Sequence, residues 1–356
     1  MSKRRKVWTG VTTAVGVGMA LCGLGAVAAM GTLFNPAPLR DEPVTCDPSA
    51  PELPRGKRLR MLVWNLQYGA GRRPHFFYDG GPDVHANPDE VRLTLEAMTD
   101  TIARLDPDIV LLQEVDRGSD RTQRLDQHTD LLSRLNYPCH TTTPYHRAPY
   151  VPHPPTKHLG RVDMHLAVWS RYRMGASRRV DLPRLNESWI RQQLNLKRAI
   201  QEVDLPVAGG GTLTLLNSHF SAFSMLDGTV ERQVATLQRR ISEAQGRGSA
   251  WILGADLNSL PPGDDPARLP DGPAMYPAAS PIAVLFDAHT SAIPAREHAE
   301  QPQPWRTYLP PGSATADRAI DHIFHGERVE AHATSVVADV HTLSDHLPLL
   351  FDFEIR

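Results

Sequence analysis

Asp256 and Asn258 stand two residues apart in the run Gly254-Ala-Asp-Leu-Asn-Ser-Leu-Pro-Pro262, directly after the apolar stretch Ala250-Trp-Ile-Leu253. A carboxylate can take a proton from water, and a carboxamide can hold an oxyanion without adding charge. The apolar stretch reads as a short buried strand, with Gly254 letting the backbone turn where it ends. If strand pairing continues to Asn258, the two side chains project to the same side of the chain. Asp and Asn after a strand also cap ordinary turns, so the pair gains meaning only from its company.

That company is extensive. Arg60 to Leu66 reads as a strand ending near Asn65, and Asp108 to Glu114 as a strand ending in Glu114. Leu213 to His219 ends in His219, Asp321 lies inside the apolar run Ala319 to Phe324, and Asp345 and His346 precede a last strand from Leu349 to Ile355. Six strand-associated segments therefore each deliver an acid, an amide or an imidazole. Such groups beyond strand ends form a candidate site.

The ordered set Trp64-Asn65-Leu66, Gln113-Glu114-Val115, Asn217-Ser218-His219, Gly254-Ala255-Asp256-Leu257-Asn258, Ile320-Asp321-His322 and Ser344-Asp345-His346 resembles the endonuclease/exonuclease/phosphatase superfamily. The likeness runs from about Leu59 to the C-terminus. It implies an α/β fold: a two-sheet β-sandwich flanked by helices, in four αββα layers of the DNase I-like kind. It also implies a metal-dependent phosphoric ester hydrolase. By resemblance Glu114 is the principal Mg²⁺ ligand, with Mn²⁺ as the alternative ion, and Asn65 and Asp345 join the metal side. Asp256 is the general base and Asn258 binds a phosphoryl oxygen beside it. His219 and His346 donate to the phosphoryl group or protonate the leaving oxygen, with Asp321 orienting His346. A Tyr near the phosphate is expected to be Tyr145 or Tyr150. Arg161 and Arg198 are candidate phosphate contacts, each with a surface ion pair as the plainer reading. The Gly160–Arg171 segment departs from the family pattern at His165 and Trp169, and His165 reads as a packed strand residue.

Composition narrows the rest. The chain has 356 residues and a formal net charge of −2, so no global basic field attracts nucleic acid. Lys3-Arg4-Arg5-Lys6 precedes an uncharged stretch from Val7 to Phe34, long enough to cross a bilayer. Residues 1–34 are therefore expected to form a basic N-terminus and a transmembrane helix, with a cleaved signal peptide as the alternative. The basic flank places the chain beyond Phe34 outside the cytoplasm, as a single-pass membrane protein or, if cleaved, a secreted one. Residues 35–57, with six prolines, read as a tether, and 58–356 as the catalytic domain. Cys46 and Cys139 could form one disulfide or stay free.

Between the motifs, Asp89 to Leu105, Gln127 to Leu135 and Thr229 to Gln245 carry helical spacing, whereas His165 to Ser170 and Leu194 to Val203 read as strands. Tyr137 to Gly160, rich in Pro and His, reads as a long loop. The function expected is a Mg²⁺-dependent phosphoesterase acting outside the cytoplasm, on lipid head groups or other phosphoesters. The alternative is an extracellular DNase- or RNase-type endonuclease, and a catalytically inactive binding protein comes third. The partners implied are the phosphoester substrate, lipid head group or nucleic acid, and a membrane through the N-terminal helix; no protein partner is implied.

Overall fold

This computed structural model describes residues 33–222 and 227–356. The chain divides into two units, Met1–Asn35 and Pro36–Arg356. Among the described residues no helix is long and apolar enough to cross a membrane. The anchor expected over residues 7–34 lies outside them, apart from Leu33 and Phe34.

The second unit is built on strands β1 (Leu39–Glu42), β2 (Val44–Cys46), β3 (Leu59–Asn65), β4 (Ile109–Asp116), β5 (Cys139–Val151), β6 (Gly160–Ser170), β7 (Ser177–Asp181), β8 (Ala199–Pro206), β9 (Thr212–His219), β10 (Ala250–Asp256), β11 (Thr290–Ser291), β12 (Asp321–His325), β13 (Val329–Val336) and β14 (Leu349–Ile355). Its helices are α1 (Pro88–Leu105), α2 (Gln127–Leu132), α3 (Trp189–Leu194), α4 (Thr229–Gly246), α5 (Gly272–Met275), α6 (Ala283–Ala288) and α7 (Ala295–Glu300). One sheet has the order β1-β7-β8-β9-β10-β12-β11, the other β13-β14-β3-β4-β6-β5-β2. The sheets stack face to face over an apolar filling that includes Met61, Val63, Ile109, Leu111, Leu213, Leu215, Ile252 and Phe351. Amphipathic α1 covers the outside of one sheet with Leu95, Met98 and Ile102, and α4 covers the other with Val234, Leu237 and Ile241. The result is the four-layer αββα sandwich of a DNase I-like fold.

Among the described residues each sheet has one parallel pair near its centre, β3–β4 in one and β9–β10 in the other. Parallel neighbours need a crossover, supplied by α1 and α4 respectively. Asn87 starts α1 by accepting from the Asp89 and Glu90 amides, with Pro88 at the first turn. The two β-α-β units thus deliver the ends of all four strands to one edge of the sandwich.

Four local expectations are corrected. Strand β10 does not turn at Gly254 but continues to Asp256. Gly254 is needed for closeness instead: a Cβ there would sit 2.5 Å from Val63 Cγ2 of the facing sheet. Residues 35–57 are not a tether throughout, because β1 pairs with β7 and β2 with β5, and Cys46 and Cys139 are joined in a disulfide across the second pair. Tyr137 to Gly160 is mostly strand β5, not a loop. Its Pro144 and Pro149 sit at register shifts, where a missing N–H costs no ladder bond, and this disguised the strand. Finally, the strand expected from Leu194 begins only at Ala199, after α3.

Candidate active site

At the ends of the two β-α-β units the strands change from apolar to polar. Gln113 and Asn217 come first, one from each sheet, and Gln113 Nε2 donates to Asn217 Oδ1 at 2.8 Å. Asn217 in turn donates to the carbonyls of Leu112 and Ala167 at 3.0 and 3.1 Å. Both amides are fully buried, and this link ties the sheets together, while Gln113 Oε1 has no partner among the described residues. One step further out lie Asn65, Glu114, His219 and Asp256.

Asp256 is the hub. Its Oδ2 accepts from Asn65 Nδ2 at 3.0 Å and lies 3.2 Å from His219 Nε2 and 3.7 Å from His346 Nε2. Its Oδ1 accepts from the Asn258 amide at 3.0 Å. Burial, opposed chiefly by the charge on His346, pushes its carboxyl up to about 6. Asn258 is not on the same strand face, as alternation would have it. The chain leaves β10 and reaches Asn258 in a left-handed conformation, φ 46°, and its Nδ2 donates to Phe220 O at 3.1 Å. An Asn tolerates that conformation better than most side chains. This turn brings the Asn258 backbone amide onto the Asp256 carboxylate and sends the Asn258 side chain to Phe220.

The two histidines occupy opposite electrostatic settings. His219 is held well below its usual range by burial, with Arg198 and His346 adding to it, so it is neutral. Tyr145 OH lies 3.1 Å from His219 Nδ1, and with Asp256 at Nε2 the network assigns the tautomer. Tyr145 donates to Nδ1, which leaves the Nε2 proton on the side of Asp256 Oδ2. His346 is the reverse case: burial would lower it, but Asp321 and Asp256 hold it well above its usual range. Its Nδ1 is 2.8 Å from Asp321 Oδ2. Trp64 Nε1 donates to the His346 carbonyl at 2.9 Å, and Ser344 Oγ accepts from its amide at 3.1 Å, fixing the loop that carries it.

Glu114 owes its aim to a β-bulge. The register with β6 shifts between Leu112 and Val115, and Glu114 takes a left-handed φ of 56°. Its side chain keeps 19% exposure, and its closest ionic neighbour among the described residues is His219 Nδ1 at 3.7 Å. Burial raises its carboxyl, and the charges of Arg121 and His346 oppose that. Asp345 is pushed up to about 6, first by burial and further by Glu114, against the pull of His346. Two such acids without a hydrogen-bonded cation among the described residues fit a hard divalent ion, which oxygen donors of this kind hold. Asp256, Asp321 and His346 also bring ligand atoms within 4.8 Å of one another. With His346 protonated and bonded to Asp321, that row suits proton handling rather than ligation. Asn65 is turned toward Asp256, while its Oδ1 accepts from the Gln67 amide at 3.0 Å, so it joins the two halves of the site.

Of the two tyrosines, Tyr145 is buried in the site and Tyr150 lies half exposed outside it. Of the two arginines, Arg161 pairs with Asp163 at 3.3 Å. Arg198 stands under Tyr145, 5.5 Å from the ring centre, and its buried Nη1 has no hydrogen-bond partner among the described residues. His165 is a buried strand residue bonded to Asp163 at 2.8 Å. Two further groups carry no signal in the sequence. Tyr308 packs edge-on to His346 with ring centres 5.3 Å apart. Asp79, raised to about 6 by burial and by Asp345, lines a cleft of about 280 Å³ with Gln67, Arg72, His75, Gly312 and Asp345. Both sit in loops whose irregular spacing has no period to read.

The chain belongs to the Endonuclease/Exonuclease/phosphatase family, whose model matches residues 62–346. It is a hydrolase of phosphoester bonds, in a family that is usually metal-dependent. Among solved structures, the endonuclease/exonuclease/phosphatase from Beutenbergia cavernae is similar at 21% identity and a TM-score of 0.57, over 84% of this chain and 72% of that one. The human Nocturnin catalytic domain with bound sulfate is similar at 18% identity and a TM-score of 0.55, over 85% and 95%. A humanized D. rerio TDP2 is similar at 14% identity and 0.53, over 83% and 98%. These likenesses support the fold. No curated protein matches the chain.

Proposed function

We propose that this domain hydrolyses phosphodiester or phosphomonoester bonds with Mg²⁺, or Mn²⁺ in its place, outside the cytoplasm and next to a membrane. The observation that carries the chemistry is the placing of two buried histidines around one carboxylate, 3.2 and 3.7 Å from Asp256 Oδ2, one of them bonded to Asp321 and the other facing Tyr145. Environments that push neighbouring groups apart in this way mark acid and base assignments. Asp256, raised toward neutrality, takes the proton of the attacking water. His346, kept charged by Asp321, holds a proton at Nε2 for the phosphoryl or leaving oxygen. Asn258 has a second N–H for a phosphoryl oxygen, and the unpaired edge of Arg198 offers another donor. Glu114 and Asp345 would hold the ion, with Asn65 beside them. When bound, the ion offsets negative charge on the phosphoryl group under attack.

Lipid head groups rank first as substrate. The reading rests on the apolar N-terminal stretch, which would concentrate the domain at a bilayer. The surface arginines are largely neutralised: Arg58, Arg60, Arg117, Arg124 and Arg147 all lie within 3 Å of a carboxylate, leaving little continuous basic field. Nucleic acid ranks second, and a D. rerio TDP2 structure that holds a single-strand DNA product keeps it in play. The deciding experiment assays the full chain with Mg²⁺ against a phospholipid panel, plasmid DNA and a bis-phosphodiester dye. Lipid turnover with weak salt dependence is expected. DNA cleavage that collapses between about 50 and 200 mM salt would favour the nuclease instead.

A further inference from the structure

Beneath Glu114 lies a buried stack that the chemistry above does not use. Asp116, two residues along β4, is fully buried and takes Arg121 in a two-pronged pair, with Nε and Nη2 at 2.9 and 2.8 Å. Thr122 Oγ1 donates to the same carboxylate at 2.9 Å. The Arg121 guanidinium lies under Tyr68, 3.6 Å from the ring centre. Phe76 meets the Tyr68 ring edge-on at 5.2 Å. The Tyr68 backbone is pinned as well: its carbonyl accepts from Gln127 Nε2, while Gln127 Oε1 accepts from the Asp116 amide at 3.0 Å.

Every part of Tyr68 is thus fixed except the part that could do chemistry. The residue is 1% exposed, and its hydroxyl is buried with no hydrogen-bond partner among the described residues. A buried donor without an acceptor is rare and calls for a functional reason. The backbone is also strained toward this placement, since Gln67 and Tyr68 both take left-handed φ angles, 46° and 42°. The turn that carries Tyr68 is tied to β4 next to Glu114, the Leu66 amide donating to Gln113 O at 3.1 Å, and the charges of Arg121 and Glu114 both bear on the hydroxyl. Glu114 is the complementary case, an acceptor on a strained bulge whose carboxylate has no hydrogen bond among the described residues.

We infer that Tyr68 is a positioning residue for Glu114: its hydroxyl donates to the Glu114 carboxylate when that group turns to hold a divalent cation, with the Asp116–Arg121 pair setting the ring from below. Ligating carboxylates are normally held by such a donor, and losing it typically costs about 10–100-fold in metal affinity. The inference rests on the reading of Glu114 as a metal ligand.

The test uses the full chain and Mn²⁺ alone, with binding followed by the electron paramagnetic resonance of the free ion. Tyr68→Phe keeps the ring on Arg121 and deletes only the hydroxyl. Its Mn²⁺ affinity is expected to fall about 10–100-fold, while its melting temperature in EDTA stays level or rises because an unpaired buried donor is gone. Unchanged affinity in a folded Tyr68→Phe overturns the inference, and so does a melting temperature that falls in EDTA, which would mean the hydroxyl serves the fold. Glu114→Gln in the same titration separates the two claims. If it abolishes binding and Tyr68→Phe does nothing, only the Tyr68 role fails. If Glu114→Gln leaves binding intact, the metal assignment beneath both claims fails. Should Tyr68→Phe not fold, Arg121→Lys supplies the second probe. It keeps the charge but not the planar contact, and a loosened Tyr68 is expected to lower Mn²⁺ affinity in the same direction; full affinity there would count against the inference.

Discussion

The two β-α-β units are built alike and end differently. In the unit β9-α4-β10, His219 and Asp256 are direct neighbours in register, both buried, and the strand stays regular to its end. In β3-α1-β4, Asn65 pairs with Gln113, and Glu114 is thrown out of the ladder by a bulge. The first arrangement gives a carboxylate hydrogen bonds from Asn65 and Asn258 and sets His219 Nε2 3.2 Å from it. The second leaves a carboxylate with no such bonds among the described residues, over a buried arginine. A group that must exchange a proton benefits from fixed partners that tune it, whereas one that must hold an ion needs its oxygens uncommitted. Similar scaffolds thus yield two kinds of acid, and the difference lies in one bulge.

The largest effect should come from the uncommitted side. Glu114→Gln keeps shape but loses the charge that holds a hard cation, so Mg²⁺-dependent hydrolysis is expected to drop to background. Circular dichroism and a cooperative melt should remain as in the wild type. Activity near wild type at low millimolar Mg²⁺ would break the contrast between the two units.

Asp256→Asn comes next. General base catalysis contributes on the order of 10²–10⁴-fold, and the loss should fall on kcat with KM little changed. The pH dependence carries the same assignment. A base must be deprotonated to work, so the wild-type rate should rise with pH through the region around 6, and the variant should lose that limb. Stability should move the other way. The Asp256 carboxyl is raised in the folded state above its unfolded value, so its stabilising contribution is present at low pH and is lost as pH rises through about 6. Above that pH the Asn variant should therefore melt higher than the wild type. A variant that melts lower and loses affinity rather than turnover would recast Asp256 as a structural residue.

How much of this was readable from residues alone depends on periodicity. Asn65, Glu114, His219 and Asp256 end apolar runs of strand length, and α1 and α4 carry clear 3.6-residue patterns, so the scaffold was legible. Strand β5 was not, because its prolines lie at bulges and its polar residues imitate a loop. That also hid the choice of Tyr145 over Tyr150, which only the turn of a bulged strand decides. Gly254 was misread because a glycine's local sequence looks the same whether it serves a turn or a close approach. The need for it comes from Val63, far earlier in the chain. Tyr68 and Asp79 lie in the loop after β3, where position is set by tertiary packing alone.

Gly254 offers a way to pull the two units apart. An added methyl would meet Val63 Cγ2 at 2.5 Å and Leu111 Cδ2 at 3.1 Å, both facing from the other sheet. Overpacking of this kind costs about 1–3 kcal/mol, so Gly254→Ala should lower the melting temperature. Because Gly254 pairs with Asn217, the partner of Gln113 across the sandwich, the strain arises where the sheets are tied. A loss of turnover beyond the loss of stability, reversed in part by Val63→Ala, would show that the site depends on the sheet spacing. Unchanged stability would remove close approach as the reason for glycine there.

The smallest expected effect tests the finest part of the contrast, the tautomer of His219. Tyr145 OH donates to Nδ1 and thereby keeps Nε2–H directed at Asp256. Tyr145→Phe deletes that donor and leaves a buried acceptor unpaired, at a cost of roughly 1–3 kcal/mol in stability. The ring can then adopt the other tautomer, in which Nε2 has no proton to give Asp256. The expected outcome is a fall of about tenfold in kcat with Mg²⁺ affinity unchanged, since among the described residues no hydrogen bond joins Tyr145 to the side chain of Glu114 or Asp345. Nitrogen chemical shifts of His219 read the tautomer directly. A shift pattern that stays with Nε2 protonated, together with an unaltered kcat, would mean that Asp256 alone fixes the imidazole and that Tyr145 only fills space. A loss of Mg²⁺ affinity would instead tie Tyr145 to Glu114, and the division between the two units would be less sharp than their backbones suggest.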